Sequence, residues 1–525
     1  MKRRTFCRTL VAALAMGTLS PNAAAQAMLP QPEEAVVGRA VPEDRYPITF
    51  RSDLFMQDCV HEFYYSDALF SHSALEYDHA LALATLGMTS ACACSYASDA
   101  RYWVDGDAGR QANIAAALDA LGFANQRFLN YDHSLNIPVG TAACAMGQKT
   151  LVRDGEPETL FAVFLAGGGY GAEWVSNLLV GSEGGHAGFL SAVDPLFEQI
   201  KAYLDEAAQA RELGTIRLWM GGYSRGSIVA NMLAAKLGRE LPQLTPERMF
   251  VYNFATPAAL TIADRPNLQQ DFDHNHAADG ILKAEWDKSN LFNLIASADL
   301  VPRVMPEVWG FHRNGNDRFL PATVRAEELA ALDAMGAEFG PVPLEFKDLA
   351  TAEDTDALLQ TVLKICPTRQ TYAEKYEAVF RDIVQAAFTR SQEEVEDGKI
   401  LSDREIVARL CAMDGMKQFR RCKVCSCVKT ASVMSRSVLA LLGDVVPLVA
   451  RQIVVPVLAV GLCYGIETDA LKLIVYYLLS LYSVRGQIND LLQVPYCHFV
   501  ENYATLLEYY DPAEHGMVPY TRTER

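Results

Sequence analysis

The sequence predicts an α/β fold: a mainly parallel sheet with helices on both faces, carrying a large helical insertion late in the chain. Three observations predict it. Apolar runs of strand length alternate with amphipathic stretches of helix length between residues 157 and 303. A glycine-flanked serine, Gly222-Tyr223-Ser224-Arg225-Gly226, sits where one of those strands meets one of those helices. Residues 316–490 then read as helices.

Each element has its own signal. "TLFAVFLA" (159–166) is a continuous apolar run ending in Gly167-Gly168-Gly169, as a buried parallel strand followed by a loop would be. "GFLSAVDPLFEQIKAYLDEAAQAREL" (188–213) spaces its apolar residues as a helix does. "TIRLWM" (215–220) is a strand running into the glycine-flanked serine, and "SIVANMLAAKLGRE" (227–240) is an alanine-rich amphipathic helix leaving it. "RMFVYNFATP" (248–257) is a further strand closed by proline, and "NLFNLIASADLVPR" (290–303) completes the series.

The first 25 residues read as a targeting segment. Lys2, Arg3, Arg4 and Arg8 precede an apolar run, Thr9 to Leu19, too short to span a bilayer. "PNAAAQA" then offers cleavage sites near Ala25 or Ala27. "KRRTFCR" loosely matches a twin-arginine signal, and Cys7 lacks the small neighbours of a lipid-anchored cysteine. The expectation is export, to a periplasm or the extracellular space. The rest of the chain divides into a core over 26–315, a helical cap insertion over 316–490 and a return to the core over 491–525.

A formal charge of −18, or −22 without the four basic residues of the leader, argues against nucleic acid as a partner. Eleven of the twelve cysteines lie beyond the leader, and export makes disulfides possible. Cys411, Cys422, Cys425 and Cys427 could supply thiolates to zinc, but their spacing is not a standard finger, and disulfides or free thiols explain it equally well. His274 and His276, in "DFDHNHAADG", read as solvated loop residues.

The serine carries the chemistry. G-x-S-x-G between a strand and a helix is a nucleophile elbow: the turn is so tight that Gly222 and Gly226 must lack side chains, and the hydroxyl projects above the sheet. Such a serine needs a general base, a carboxylate to orient the base, and N–H donors for the developing oxyanion. One donor is the backbone N–H of Arg225; the second is expected from "AGGGY" (166–170), with Gly168 the favoured residue. Asp299, ending an apolar strand in "IASADLVPR", is the candidate acid, against the plainer reading of a strand-ending turn aspartate. For the base, chain order leaves His312 in "WGFHRNG" and His498 in "VPYCHFVENYATLLEYYD". His61, His72, His79 and His133 precede the serine.

The stretches "FLAGGGYGAEWVSNLLVG", "HAGFLSA", "GGYSRGSIVANMLAA", "VYNFATP" and "ASADLVPRVMPEVWGFHRNG" resemble the lipase class 3 (fungal-lipase-like) family of α/β-hydrolases, in a bacterial secreted form. The likeness covers roughly residues 50–320 and a short stretch around 498. It implies that Ser224 and the aspartate before "VP", Asp299, are catalytic. It also implies that the base lies near the C-terminus, where "HFVENY" resembles an H-x-x-E-x-Y pattern; this favours His498, with His312 the alternative. One departure touches the oxyanion loop: Ala166-Gly167 stands where the family pattern has Arg-Gly.

An insertion between acid and base would sit over the mouth of the site as a cap, shaping the acyl pocket and limiting water. Its most apolar piece, "VVPLVARQIVVPVLAVGLCYG" (445–465), contains Arg451 and two prolines, which favours a buried cap helix over a lipid-contacting lid or a membrane span. The expected function is an exported serine hydrolase cleaving carboxylic esters, with acyl lipids of the triacylglycerol type the expected substrates, through an acyl-enzyme. Neither a cofactor nor a catalytic metal is required, and the only partners expected are a small-molecule or lipid ester and a transient lipid-interface contact. A short-chain carboxylesterase and a catalytically silent binding protein on the same scaffold are the rival readings.

Overall fold

The computed structural model of this chain describes residues 45–52, 57–92, 106–131, 140–167, 175–210, 215–261, 290–303, 305–320, 355–356, 359–360, 363–364, 366–387, 401–441, 449–466 and 497–515. Its strands are β1 (Arg45–Ser52), β2 (Gln57–Tyr64), β3 (Ala124–Leu129), β4 (Cys144–Arg153), β5 (Glu156–Leu165), β6 (Thr215–Tyr223), β7 (Met249–Phe254), β8 (Leu291–Ala296) and β9 (Asn316–Leu320). β1 and β2 form a separate antiparallel hairpin, and the other seven make one sheet in simple sequence order. Within it β3, β4 and β5 run antiparallel as a meander, whereas β5 to β9 are parallel throughout.

Side-chain alternation sorts the sheet's two faces. On β5, Leu160, Ala162 and Phe164 enter one apolar cluster while Phe161, Val163 and Leu165 enter another; on β6, Trp219 and Leu218 divide likewise. Both faces are therefore buried, which explains why these strands read as unbroken apolar runs. The first face is covered by the β1–β2 hairpin, α1 (His79–Cys92), α2 (Gly106–Ala120) and a late helix, α10 (Val500–Tyr509); the second by α3 (Ala187–Ala210) and α4 (Arg225–Glu240). At the centre of the first face, fully buried Trp219 packs edge-on against Phe164 and Phe70 and donates from Nε1 to Thr85 Oγ1 at 2.7 Å.

Two of these elements differ from the sequence expectation. β6 continues through Tyr223 and α4 starts at Arg225, so strand meets helix at the single residue Ser224. β9 pairs with β8, from Phe292↔Asn316 to Ala296↔Leu320, so the core sheet extends five residues into the stretch expected to be cap.

Further on, α5 (Arg369–Lys375), α6 (Glu377–Ala387), α7 (Asp403–Ala412), α8 (Arg421–Leu441) and α9 (Val449–Tyr464) are helical. Residues of α6 to α9 share an apolar cluster of their own. The most apolar segment, α9, buries Val454, Val455, Val457, Leu458, Ala459, Val460 and Cys463 in that cluster. Among the described residues no helix is long and apolar enough to cross a membrane. No disulfide joins the described cysteines, and no group of three or more His, Cys, Asp or Glu side chains among the described residues converges to hold a metal ion. Cys422 is exposed on α8, while Cys411, Cys425 and Cys427 pack against the helical cluster. The leader and His274 and His276 lie outside the described residues.

Candidate active site

At the junction of β6 and α4, Ser224 has φ 52° and ψ −122°, a conformation that residues with a side chain rarely adopt. Two glycines allow it. A Cβ on Gly222 would lie 2.4 Å from Gly226 O, and one on Gly226 would lie 2.3 Å from Ala166 O and 2.5 Å from Leu165 O. The turn is pinned by the Ser224 N–H, which donates to Phe254 O on the neighbouring strand at 2.9 Å. Arg225 opens α4, in the turn whose N–H groups find no acceptor within the helix itself.

His498 reaches this serine from just before α10. Its Nε2 lies 2.8 Å from Ser224 Oγ, and its Nδ1 lies 2.8 Å from Asp299 Oδ2. Because a carboxylate only accepts, Nδ1 carries the proton and donates, which leaves Nε2 to accept from the serine hydroxyl. Asp299 is wholly buried, while 19% of the His498 side chain remains exposed, so the imidazole borders the space a substrate would need and the carboxylate does not.

A buried carboxylate must be satisfied by donors. Besides His498, Asp299 Oδ2 accepts from the Tyr503 hydroxyl at 2.8 Å, and Oδ1 accepts from the Val301 N–H at 2.9 Å. Tyr503 OH in turn accepts from the Ala296 N–H at 3.0 Å, which ties the acid to the end of β8. Burial and the adjacent Asp299 charge push the Tyr503 phenol well above its ordinary pKa, so it stays a donor. Tyr223 donates from its hydroxyl to His498 O at 2.7 Å and so fixes the backbone of the histidine.

The loop holding Asp299 is braced from beneath. Buried Arg313 donates to Thr256 O and to Pro302 O, both at 2.6 Å, and pairs with Asp317 Oδ2 at 2.9 Å. Asp317 Oδ1 accepts from Asn293 Nδ2, and Asn231 Nδ2 on α4 donates to Asn293 Oδ1. One buried polar network thus links the helix of the elbow with the loops after β7 and β8, and a fully connected network of this kind favours a single arrangement.

The Arg225 side chain turns into the protein. It is buried, stacks 5.4 Å from the Phe189 ring centre, and donates to Asn177 Oδ1 at 2.8 Å and Thr141 O at 3.1 Å. Beside it lies His186, fully buried, stacked on Phe189, with Nε2 donating to Asn177 O. Burial, reinforced by the Arg225 and Arg369 charges, pushes the His186 pKa down to about 3. A depressed histidine pKa costs stability on the acid side: the unfolded chain takes up this proton below about pH 6.5, and the folded chain resists it until about pH 3. Urea midpoints measured between these limits are expected to fall with pH in wild type and to fall less steeply in His186→Gln; equal slopes would remove His186 as a cause.

Of the residues singled out in the sequence, Ser224, Asp299 and His498 come together, with Arg225, Gly222 and Gly226 forming the turn. His312 does not join them: its backbone bridges to Leu260, and the side-chain partner of both Ser224 and Asp299 is His498. Gly168 lies outside the described residues; its neighbour Gly167 borders the elbow, where a Cβ would lie 3.4 Å from Tyr223 O and 3.8 Å from Ser224 Cβ. Sequence reasoning did not assign roles to Tyr503, Tyr223 and Arg313. For Tyr503 a signal existed, since it closes the "HFVENY" stretch that contains His498.

Comparison with known proteins finds a family match over part of the chain. Residues 173–309 match the family model described as Lipase (class 3). None of the curated proteins matches. Similar solved structures include the Rhizomucor miehei lipase propeptide complex, 16% identical, covering 38% of this chain and 58% of that one, with a TM-score of 0.27. A triacylglycerol lipase whose catalytic centre is described as a serine protease triad is also 16% identical, covering 38% of this chain and 68% of that one, with a TM-score of 0.28. The lipase from Rhizopus microsporus var. chinensis is 12% identical, covering 39% and 64%, with a TM-score of 0.27. The chain thus spans less than two thirds of the first and third of these lipases.

Proposed function

We propose that this chain, which carries a lipase class 3 segment, is an exported serine hydrolase that cleaves carboxylic esters, with acyl lipids as its substrates. The observation that carries the reading is the unbroken hydrogen-bonded series from Ser224 Oγ through His498 to Asp299. In the proposed cycle Ser224 Oγ attacks the ester carbonyl carbon as its proton passes to His498 Nε2. Asp299, accepting from Nδ1, stabilises the imidazolium so formed. The carbonyl oxygen, now negative, rests on the Arg225 N–H and on a second donor assigned to Gly168. Collapse breaks the ester bond, and His498 returns the proton to the departing alcohol. Water, deprotonated by the same histidine, then attacks the acyl-enzyme and frees Ser224 as the carboxylic acid leaves.

The basic and apolar leader supports the export part of the proposal. The family match supports lipid esters as the substrate class.

Labelling with a fluorophosphonate tests the reading, because the probe forms its bond only with an activated serine. Wild type is expected to label, Ser224→Ala and His498→Ala to lose labelling, and His312→Ala to keep it. Loss with His312→Ala but not with His498→Ala would move the base. A folded wild type that does not label would instead point to a silent binding protein. For a labelling enzyme, turnover across ester chain lengths decides between long acyl lipids and a short-chain carboxylesterase.

A further inference from the structure

The helical insertion grips the core most densely at Arg369. Arg369, first residue of α5, is buried, and its guanidinium lies 4.6 Å from the centre of the Phe311 ring. Five backbone carbonyls of one loop converge on it: Nε donates to Gly181 O at 2.7 Å, Nη1 to Gly184 O, and Nη2 to Val180 O, Glu183 O and Gly185 O at 2.9–3.1 Å. The neighbouring turns close the same grip. The Tyr372 hydroxyl donates to Leu178 O at 3.2 Å, and Glu377 Oε2 accepts from the Gly181 N–H at 3.0 Å.

That loop leads back toward the nucleophile. His186 ends it, donating to Asn177 O, and Asn177 Oδ1 accepts from the side chain of Arg225, the residue after Ser224. Residues 177–186 are thus held between two guanidinium groups, one on the elbow helix and one on the insertion. A second contact from the insertion touches the acid loop, where the Thr355 hydroxyl donates to Ala298 O at 2.6 Å, one residue before Asp299.

We infer that Arg369 is a positioning residue of the active site: it moulds the 178–186 loop and, through Asn177 and Arg225, holds the oxyanion side of the elbow in register. The inference rests on the proposed hydrolase activity. The insertion is then part of the scaffold that shapes the site. The requirement is specific to a guanidinium. Five carbonyls need a planar group with donors around its edge, and lysine offers a compact ammonium with three. Without the guanidinium the carbonyls face one another across a desolvated gap, which burial makes costly.

The test uses the full chain, with Arg369→Ala and Arg369→Lys. The readouts are the fluorophosphonate labelling rate and kcat and KM for a p-nitrophenyl ester, taken well below each variant's melting temperature. Misplaced reacting groups cost up to about a hundredfold, so both variants are expected to lose about ten- to a hundredfold in labelling rate and kcat, with KM little changed. Guanidinium chloride, far below its unfolding range, is expected to restore Arg369→Ala while equal sodium chloride does not. A stability role alone would lower the melting temperature and leave the rates of the folded fraction untouched. Labelling at the wild-type rate in either variant, or a loss in Arg369→Ala that guanidinium leaves unrepaired, would overturn the inference. If Arg369→Ala does not fold, Arg369→Lys decides. A wild type that fails to label would refute the hydrolase reading itself and this inference with it, a result distinct from wild type labelling and the variants matching it.

Discussion

Asp299→Asn is expected to lower kcat for a p-nitrophenyl ester by about 10⁴-fold while leaving the fold intact. The size comes from the hydrogen-bond arithmetic at the carboxylate. Oδ2 accepts from both His498 and Tyr503, and Oδ1 accepts from the Val301 N–H. Asparagine replaces one of these acceptors with an NH2 group, and at either position that group meets a donor. Placed at Oδ2, it can be accommodated only if His498 takes the other tautomer, with Nδ1 accepting. Nε2 then carries a hydrogen toward Ser224 Oγ and cannot take the serine's proton. Circular dichroism should match wild type. A variant retaining more than about a tenth of wild-type kcat would mean that Asp299 is not the group orienting the base.

Gly226→Ala is expected to be the most damaging single-methyl change in the elbow. The added Cβ would stand 2.3 Å from Ala166 O and 2.5 Å from Leu165 O, and both are backbone atoms at the end of β5. A flexible side chain could swing away; this strand end cannot, because β5 is bonded along its length to β4 on one side and β6 on the other. Overpacking typically costs about 1–3 kcal/mol, and with no side chain to yield the cost here should reach about 3 kcal/mol. A lower urea midpoint and loss of fluorophosphonate labelling are the expected results. Midpoint and labelling equal to wild type would mean that α4 and β5 separate readily, and that the tight turn is not what sets the serine's position.

The parts of this molecule legible in the sequence are those that local pattern determines. Strands buried on both faces appear as runs such as "TLFAVFL" and "MFVYNF", and a tight turn between strand and helix demands small residues two positions either side of its serine. The antiparallel edge was less visible. In β4, burial changes partway from continuous to mixed, because its second half leaves the core, so neither strand pattern holds throughout. β9 hid for a different reason: Asn316, Asp317 and Arg318 are buried polar residues, Asp317 serving the network beneath Asp299, and a polar strand does not look like core. Long-range partners were least legible. Nothing local in "VPYCHFVENY" states that His498 meets Asp299, and only resemblance chose it over His312. Tyr503 and Arg369 act through hydrogen bonds to distant loops, for which no periodicity exists.

The separation of the triad along the chain has a consequence for biosynthesis. Asp299 and His498 are 199 residues apart, and Ser224 precedes both. At ribosomal speeds of about 5–20 residues per second, the base is made about 10–40 s after the acid. On the proposed reading, for that interval the nascent chain holds the nucleophile and the acid but not the base. On that reading, ester cleavage therefore cannot begin until residue 498 has been made and folded against Asp299.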